Sequence, residues 1–520
     1  MALSYPKILV SASVTPEIPI VSAKSTKFPL ISASVTPETP RFSTKAPKLP
    51  PREIPGSYGL PILGPISDRL DYFKGRDEFF KSRMQRYQST VYRTNMPPGP
   101  PIASDPRCIV LLDGVSFPVL FDNEKVEKKD LFTGTYMPSV ELTGGYRVLS
   151  YLDVREPSHS RLKRFLFGVL EASRNRIVPE FSTAMTELFS EVEDKLSADG
   201  KADFNSPNQQ ACFNFLARAL LGHDPAEPGP DKLGKDAPTL IQKWVAFQLY
   251  PILSLGLPTP IEEVLLRTTG LPTFLVKNDY ERLFKFFNSS KTKPLEIADE
   301  LGIDRVEASH NLLFATCFNT WGGLIIVLPG LMKWVGRAGA TLHRELAQEV
   351  RAAVQATSQH SSSGLSPAAL AQMPLVKSCV YEALRIEPPV PTQYGRARKD
   401  LIIDSHISSF RVRAGEMLCG YQPFATRDPL IFDRPEEFVA KRFMGEEGEK
   451  MLNYLLWSNG KETEDTTENN KQCAGKDFVV MVARLFLAEL FLRYDSFDVE
   501  ISSAKLGSAV AITSLKRATF

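Results

Sequence analysis

The sequence predicts one large domain, mainly α-helical with minor β-sheets (α+β). Three observations carry this. Apolar residues recur at helical spacing over residues 161–198, again from residue 208, and over 305–354. Stretches that read as strands are short and show no repeated strand–helix–strand spacing. No linker-like stretch divides residues 51–520. A hydrophobic content of 43% over 520 residues supplies ample material for a large core.

The segment before that domain is different. Residues 1–50 hold eight Ser, eight Pro and six Lys or Arg against two Glu, and repeat SASVTPE at 11–17 and 32–38. Such a segment buries too little apolar surface to offset its ordering entropy, so disorder is expected. Its basic, Ser-rich, acid-poor character is that of an organelle transit peptide, read here as a plastid (chloroplast) one.

The domain elements follow in order. RLDYFKGRDEFFKSRMQRYQS has helical spacing. CIVLLDG and FPVLFD read as short strands broken by Gly114. The helix over 161–198 comes next, then LYPILSLGLPTPIEE, a proline-broken connection whose apolar residues suit loose peripheral membrane contact. Region 305–354 reads as two helices parted near Pro329 and Gly330. SPAALAQMPLVKSCVYEALRIEPP is a helix stopped by Pro388 and Pro389. DLIIDSHISSFRVRAGEML, FDVEI and AVAITSL read as strands.

Several function classes are excluded. A net charge of +2 gives no basis for nucleic-acid binding. The six cysteines are scattered, with the spacing of neither a disulfide scaffold nor a zinc site. The most apolar window, 312–327, is interrupted by Thr316, Asn319, Thr320 and paired glycines, so a buried helix is expected there and no transmembrane segment.

Chemistry concentrates in two places. Cys473 lies between a polar loop and a helical run, with Lys471 before it and Gly475 after it. A thiolate there gains from the helix dipole and a nearby cation. An inert buried cysteine fits the same residues. Glu382 and Arg385 share one face of an apolar helix, where unpaired charges are costly, and Arg442 can complete a Glu–Arg–Arg cluster.

The order Glu382, Arg385, Arg442, Cys473 resembles the cytochrome P-450 superfamily. The resemblance implies the cytochrome P-450 fold over 51–520, a heme b cofactor, Cys473 as axial ligand of its iron, and Glu382, Arg385 and Arg442 as its structural support. Two departures narrow it. The usual loop Phe-x-x-Gly-x-Arg-x-Cys becomes Trp457 and Gly460, then nine extra residues before Cys473, with Lys471 for Arg. The acid–Thr pair that serves O₂ activation is missing from LLFATCFNTWGG. Both departures mark the plant branch that rearranges fatty-acid hydroperoxides. DLFTGTYMPSVELTGGYRVLSYLD, YEALRIEPPV and NKQCAGKDFVV extend the likeness. Within the branch the chain is similar to the allene oxide synthases; hydroperoxide lyases and divinyl ether synthases are the alternatives. A reductase-dependent monooxygenase and a non-catalytic heme protein fit less well.

The implied activity converts 13-hydroperoxides of linolenic and linoleic acid to 12,13-epoxide allene oxides in oxylipin and jasmonate biosynthesis. The substrate brings its own O–O bond, so neither O₂, NADPH nor a reductase is required. The resemblance gives Asn319 the orientation of the hydroperoxide and Phe132 the stabilisation of an electron-poor carbon, a position where lyases tend to be aliphatic. Alone, Asn319 reads as a helix residue bonded to backbone, and Phe132 as core. Lys128, His159, Lys163 and Lys471 are the implied partners of the heme propionates. Ile325 stands where many of these enzymes carry a lysine able to meet the fatty-acid carboxylate.

Overall fold

Four helices place the site. They are α1 (Pro157–Asp199), α2 (Arg305–Ala338), α3 (Pro374–Ile386) and α4 (Lys476–Arg493). The computed structural model describes residues 50–289, 292–358, 364–504 and 507–519. All but Pro50 of the expected transit peptide lies outside the described residues. Residues 49–520 form one compact unit.

The principal sheet has strands β1 (Val91–Asn95), β2 (Arg107–Leu111), β3 (Val126–Glu127), β4 (Thr392–Ala397) and β5 (Met417–Tyr421). Their spatial order is β1-β2-β5-β4-β3, with β2 parallel to β5 and the other neighbours antiparallel. A second sheet pairs β6 (Tyr494–Ser503) with β7 (Ser508–Arg517), and Ala202–Asp203 joins its edge.

Two local expectations are corrected. FPVLFD is a 3-10 helix, Phe117–Phe121, and not a strand. Asp113 Oδ1 accepts Val115 N at 2.9 Å and Ser116 N at 2.7 Å, which coils the chain just ahead of Pro118. Phe117 and Leu120, three residues apart, are then buried together. The helical region is also not parted at Pro329. Helix α2 runs through it and ends at Gly339, whose φ of 80° is left-handed. Leu328, Leu331 and Met332 are buried around the proline, and this packing outweighs the lost backbone hydrogen bond.

Asp304 caps α2, accepting Val306 N and Glu307 N at 3.0 Å each. Its middle, Phe314–Trp321, is π-helical, a form that recurs at functional sites. Among the described residues α2 is the one helix long and apolar enough to cross a bilayer, and 56% of its most apolar window is buried inside the protein. Helix α4 is buried nearly all round through Val482, Ala483, Leu485, Phe486, Leu487 and Leu490, as a central core helix is.

Candidate active site

Cys473 is half-buried, two residues ahead of the α4 N-cap, Gly475. Its N–H donates to the Ser458 carbonyl at 3.1 Å. Burial pushes the thiol pKa up, while the Gly475 N–H and Lys163 pull against this.

The nine extra residues form a folded clip. A hairpin pairs Leu456–Trp457 with Gly460–Lys461. Gln472 Nε2 donates to the Lys461 carbonyl at 2.6 Å, and Lys476 Nζ to the carbonyls of Glu462 (2.7 Å) and Glu464 (2.8 Å). Gly460 is required by space: a Cβ would lie 2.5 Å from Gln472 Cδ. The Glu462 carboxylate accepts the Tyr381 hydroxyl at 2.6 Å and the Trp457 indole N–H, which ties the clip to α3.

Glu382, beside Tyr381, builds a closed charge cluster. Arg385 donates to its two oxygens at 2.7 and 2.9 Å, and Arg442 Nε bridges both at 3.0 Å. The other guanidinium nitrogens bond the carbonyls of Thr426, Pro435, Glu437, Asp433 and Arg434. The side chains of Glu382 and Arg385 are 0% exposed. The structure thus brings all three residues together.

The second cluster is open. Lys128 and Lys163 are 5% and 2% exposed and His159 is 1% exposed; Lys471 is half-buried. Their partners are carbonyls. Lys128 Nζ reaches Tyr394 O at 2.5 Å, and Lys471 Nζ reaches Leu149 O at 2.8 Å and Ser150 O at 3.3 Å. Lys163 Nζ bonds Asn470 O (2.6 Å), Asn470 Oδ1 (3.0 Å) and Gln472 O (2.7 Å). Among the described residues, buried His159 Nδ1 has no hydrogen-bond partner. None of these three lysines has a salt bridge among the described residues. Burial first, then a neighbouring lysine (Lys471 for Lys128, Lys163 for Lys471, both for His159), holds Lys128 and Lys471 down to about 7 and His159 to about 4. Burial also brings Lys163 down to about 8.

Beside this cluster α2 is open. Phe318, Gly322, Gly323 and Ile326 are half-exposed and Asn319 is exposed, although Cys317, Trp321 and Leu324 on its other side are buried. A Cβ on Gly323 would meet nothing within 4 Å. An unbalanced nest of cations, a half-buried thiol and an open, glycine-floored helix face fit a flat iron macrocycle bearing two carboxylates.

Ser150 joins the parts. Its hydroxyl accepts Asn319 Nδ2 at 3.2 Å, while its carbonyl accepts Lys471. Phe132 is half-buried, its ring centroid 5.4 Å from Phe318, 5.8 Å from Phe314 and 6.1 Å from Tyr151. Ile325 packs partly buried against the main core. Sequence reasoning missed Ser150, Asn470 and Glu462. The last two lie in a stretch that reads as solvated, and Ser150 is an isolated serine among apolar neighbours.

The family model for cytochrome P450 matches residues 341–505. The chain is 61% identical to "Allene oxide synthase, chloroplastic" of Linum usitatissimum, over 91% of this chain and 87% of that one. The chain belongs to the allene oxide synthase family of cytochrome P450s. It is 59% identical to "Allene oxide synthase 1, chloroplastic" of Solanum lycopersicum, over 91% of this chain and 87% of that one. With "Allene oxide synthase, chloroplastic" of Arabidopsis thaliana it shares 60% identity over 91% of this chain and 90% of that one. As a member of this family the chain is an enzyme with the P450 fold and a heme cofactor.

Proposed function

We propose that the chain dehydrates 13-hydroperoxides of linolenic and linoleic acid to allene oxides in the plastid, without O₂, NADPH or a reductase. The observation that carries this reading is the open face of α2. Its exposed polar side chain is a neutral amide, Asn319, and 312–323 holds no acid. A proton relay for O₂ activation is therefore lacking, while an amide that can donate to a hydroperoxide oxygen is in place.

In this reading Cys473 ligates the iron, and Lys128, His159, Lys163 and Lys471 meet the propionates. When bound, heme supplies homolytic cleavage of the substrate O–O bond. The clip, tied to α3 beside Glu382, Arg385 and Arg442, holds the Cys473 backbone. Asn319, steadied by Ser150, positions the hydroperoxide. The Phe132 ring faces the carbon left electron-poor after the epoxide closes. Apolar Phe318 and Ile326 keep water away, so this centre loses a proton rather than taking up water. The balance is hydroperoxide to allene oxide plus one water.

Residues 1–50 serve as the transit peptide in this proposal, and residues 51–520 as the heme domain. Exposed Leu257, Ile261, Val264, Phe274 and Leu275 support loose contact with a membrane surface.

Products decide the matter. Purified holoenzyme given 13-hydroperoxy-linolenic acid without NADPH should yield ketols and a cyclopentenone. Short aldehydes would place it with the lyases, and a requirement for NADPH and a reductase would overturn the proposal. Phe132→Leu should move products towards chain cleavage; an unchanged product ratio removes Phe132 from its role.

A further inference from the structure

We propose that Lys333 binds the carboxylate of the fatty-acid hydroperoxide, and that its distance from Asn319 selects the 13-hydroperoxide. The proposal rests on the dehydratase reading above. It also answers what meets the carboxylate in a chain that has Ile325.

Gly322 and Gly323 lie three and four residues after Asn319, and Ile326, Gly330 and Lys333 follow Gly323 at steps of three or four, so all share one face of α2. The face is open from Asn319 to Ile326. A small cavity lined by Ile326, Val327, Gly330, Ala383, Leu384 and Glu387 borders its Ile326 end. Lys333 stands behind this lining, joined to it through Glu387. Its ammonium pairs with Glu387 Oε1, is 3.3 Å from Ser508 Oγ, and lies 4.8 Å from the centroid of the Trp334 ring. The Lys333 side chain is 10% exposed and that of Glu387 is 39% exposed, so the ion pair is sealed on one side only. An ammonium has three N–H donors, and two are taken by Glu387 and Ser508. The third donor and the Ser508 hydroxyl together suit a carboxylate.

Length supports the match. Glu387 Oε2 lies 3.9 Å from where a Gly330 Cβ would stand, so the Lys333 ammonium sits near the level of Gly330. Eleven residues of helix separate that level from Asn319, a rise of about 16 Å. Twelve carbon–carbon bonds of about 1.5 Å, laid out as a zigzag, carry C13 to within about 15 Å of C1. A 9-hydroperoxide has only eight such bonds, spans about 10 Å on the same geometry, and falls short. Position 325 lies off this face, so a lysine there and Lys333 would not be equivalent.

Glu387 competes with the substrate for Lys333. That separates a binding role from a purely structural ion pair, because the two predict opposite effects of removing the glutamate charge. The test compares kcat/KM for 13-hydroperoxy-linoleic acid and its methyl ester, using wild-type holoenzyme and the variants Lys333→Met, Lys333→Arg and Glu387→Gln. Lys195→Met, at an exposed position of α1, serves as control. Wild type and control should favour the free acid by about 10- to 100-fold, the worth of a hydrogen bond to a charged group. Lys333→Met should bring that ratio near one through KM and lower the preference for 13- over 9-hydroperoxide. Lys333→Arg should restore most of the ratio, and Glu387→Gln should raise it. The proposal is overturned if wild type shows no acid preference, if Lys333→Met keeps it, or if Lys333→Met and Glu387→Gln slow both substrates alike. Ketols formed normally from both substrates without acid preference would sink only the Lys333 assignment. No ketols from either would sink the dehydratase reading and this proposal with it.

Discussion

Two buried charge clusters flank the clip that carries Cys473, and they are built on opposite principles. Around Glu382 the carboxylate is shared by Arg385 and Arg442, and the remaining guanidinium nitrogens end on carbonyls. Around Lys471, the cations Lys128, Lys163 and Lys471 have carbonyl partners but no salt-bridge partner among the described residues; burial lowers the pKa of all three, and Lys471 and Lys163 add to this at Lys128 and Lys471 respectively. The first carries its own carboxylate, which suits the structural role proposed for it. The second is a deficit of negative charge, which the propionates of a heme would offset in the proposed reading. The presence of an internal counter-ion therefore distinguishes the two clusters where burial does not.

Breaking the Glu382 cluster should have the largest effect. Glu382→Ala leaves two guanidiniums without their counter-ion and should cost about 3–5 kcal/mol, with loss of folded heme protein. Urea unfolding and heme content check this, and a variant that keeps wild-type stability would contradict it. The open cluster should respond in the opposite sense. Lys163→Met should weaken heme binding by about tenfold or more, yet leave the heme-free protein as stable as before or more so. Equal losses in both forms would show that Lys163 is merely structural.

A pH titration sharpens the contrast further. Folded, heme-free protein holds Lys128 down at about 7, against an ordinary value of 10.5. Between those values the unfolded chain binds the proton that the folded chain sheds, so stability should rise with pH. A nearby propionate restores the protonated form, so heme should flatten the slope, and Lys128→Met should lessen it while Lys471 and Lys163 keep their own share. Thermal unfolding from pH 7 to 10, with and without heme, reads both. The smallest effect is expected from Asn470→Ala. Lys163 keeps the Asn470 and Gln472 carbonyls, so the loss should stay below about 1 kcal/mol.

The sequence reveals the Glu382 cluster more readily than the open one. Glu382 and Arg385 stand out because they interrupt an apolar helix, and Arg442 is a third charge able to join them. Lys128 and Lys163 look like surface lysines, because nothing local in a sequence distinguishes a cation facing solvent from one facing an internal cavity. The clip is misleading for a related reason. WSNGKETEDTTEN is polar throughout, yet its polar groups bond one another and α3, as Glu462 shows with Tyr381 and Trp457. Pro329 reads as a helix break because its missing N–H is a local property, whereas the packing that carries α2 past it comes from distant residues. Ser150 joins Asn319 to Lys471 only after folding sets three separate segments side by side.

The most direct test blocks the charge that the open cluster awaits. Heme-free protein is titrated with hemin and with hemin dimethyl ester, whose propionates carry no charge, while the Soret band reports thiolate ligation by Cys473. The account predicts that the diester binds about 100-fold more weakly or worse, and that Lys163→Met narrows this gap. Equal affinity for hemin and its diester would contradict it, because Lys128, His159, Lys163 and Lys471 would then serve no anion.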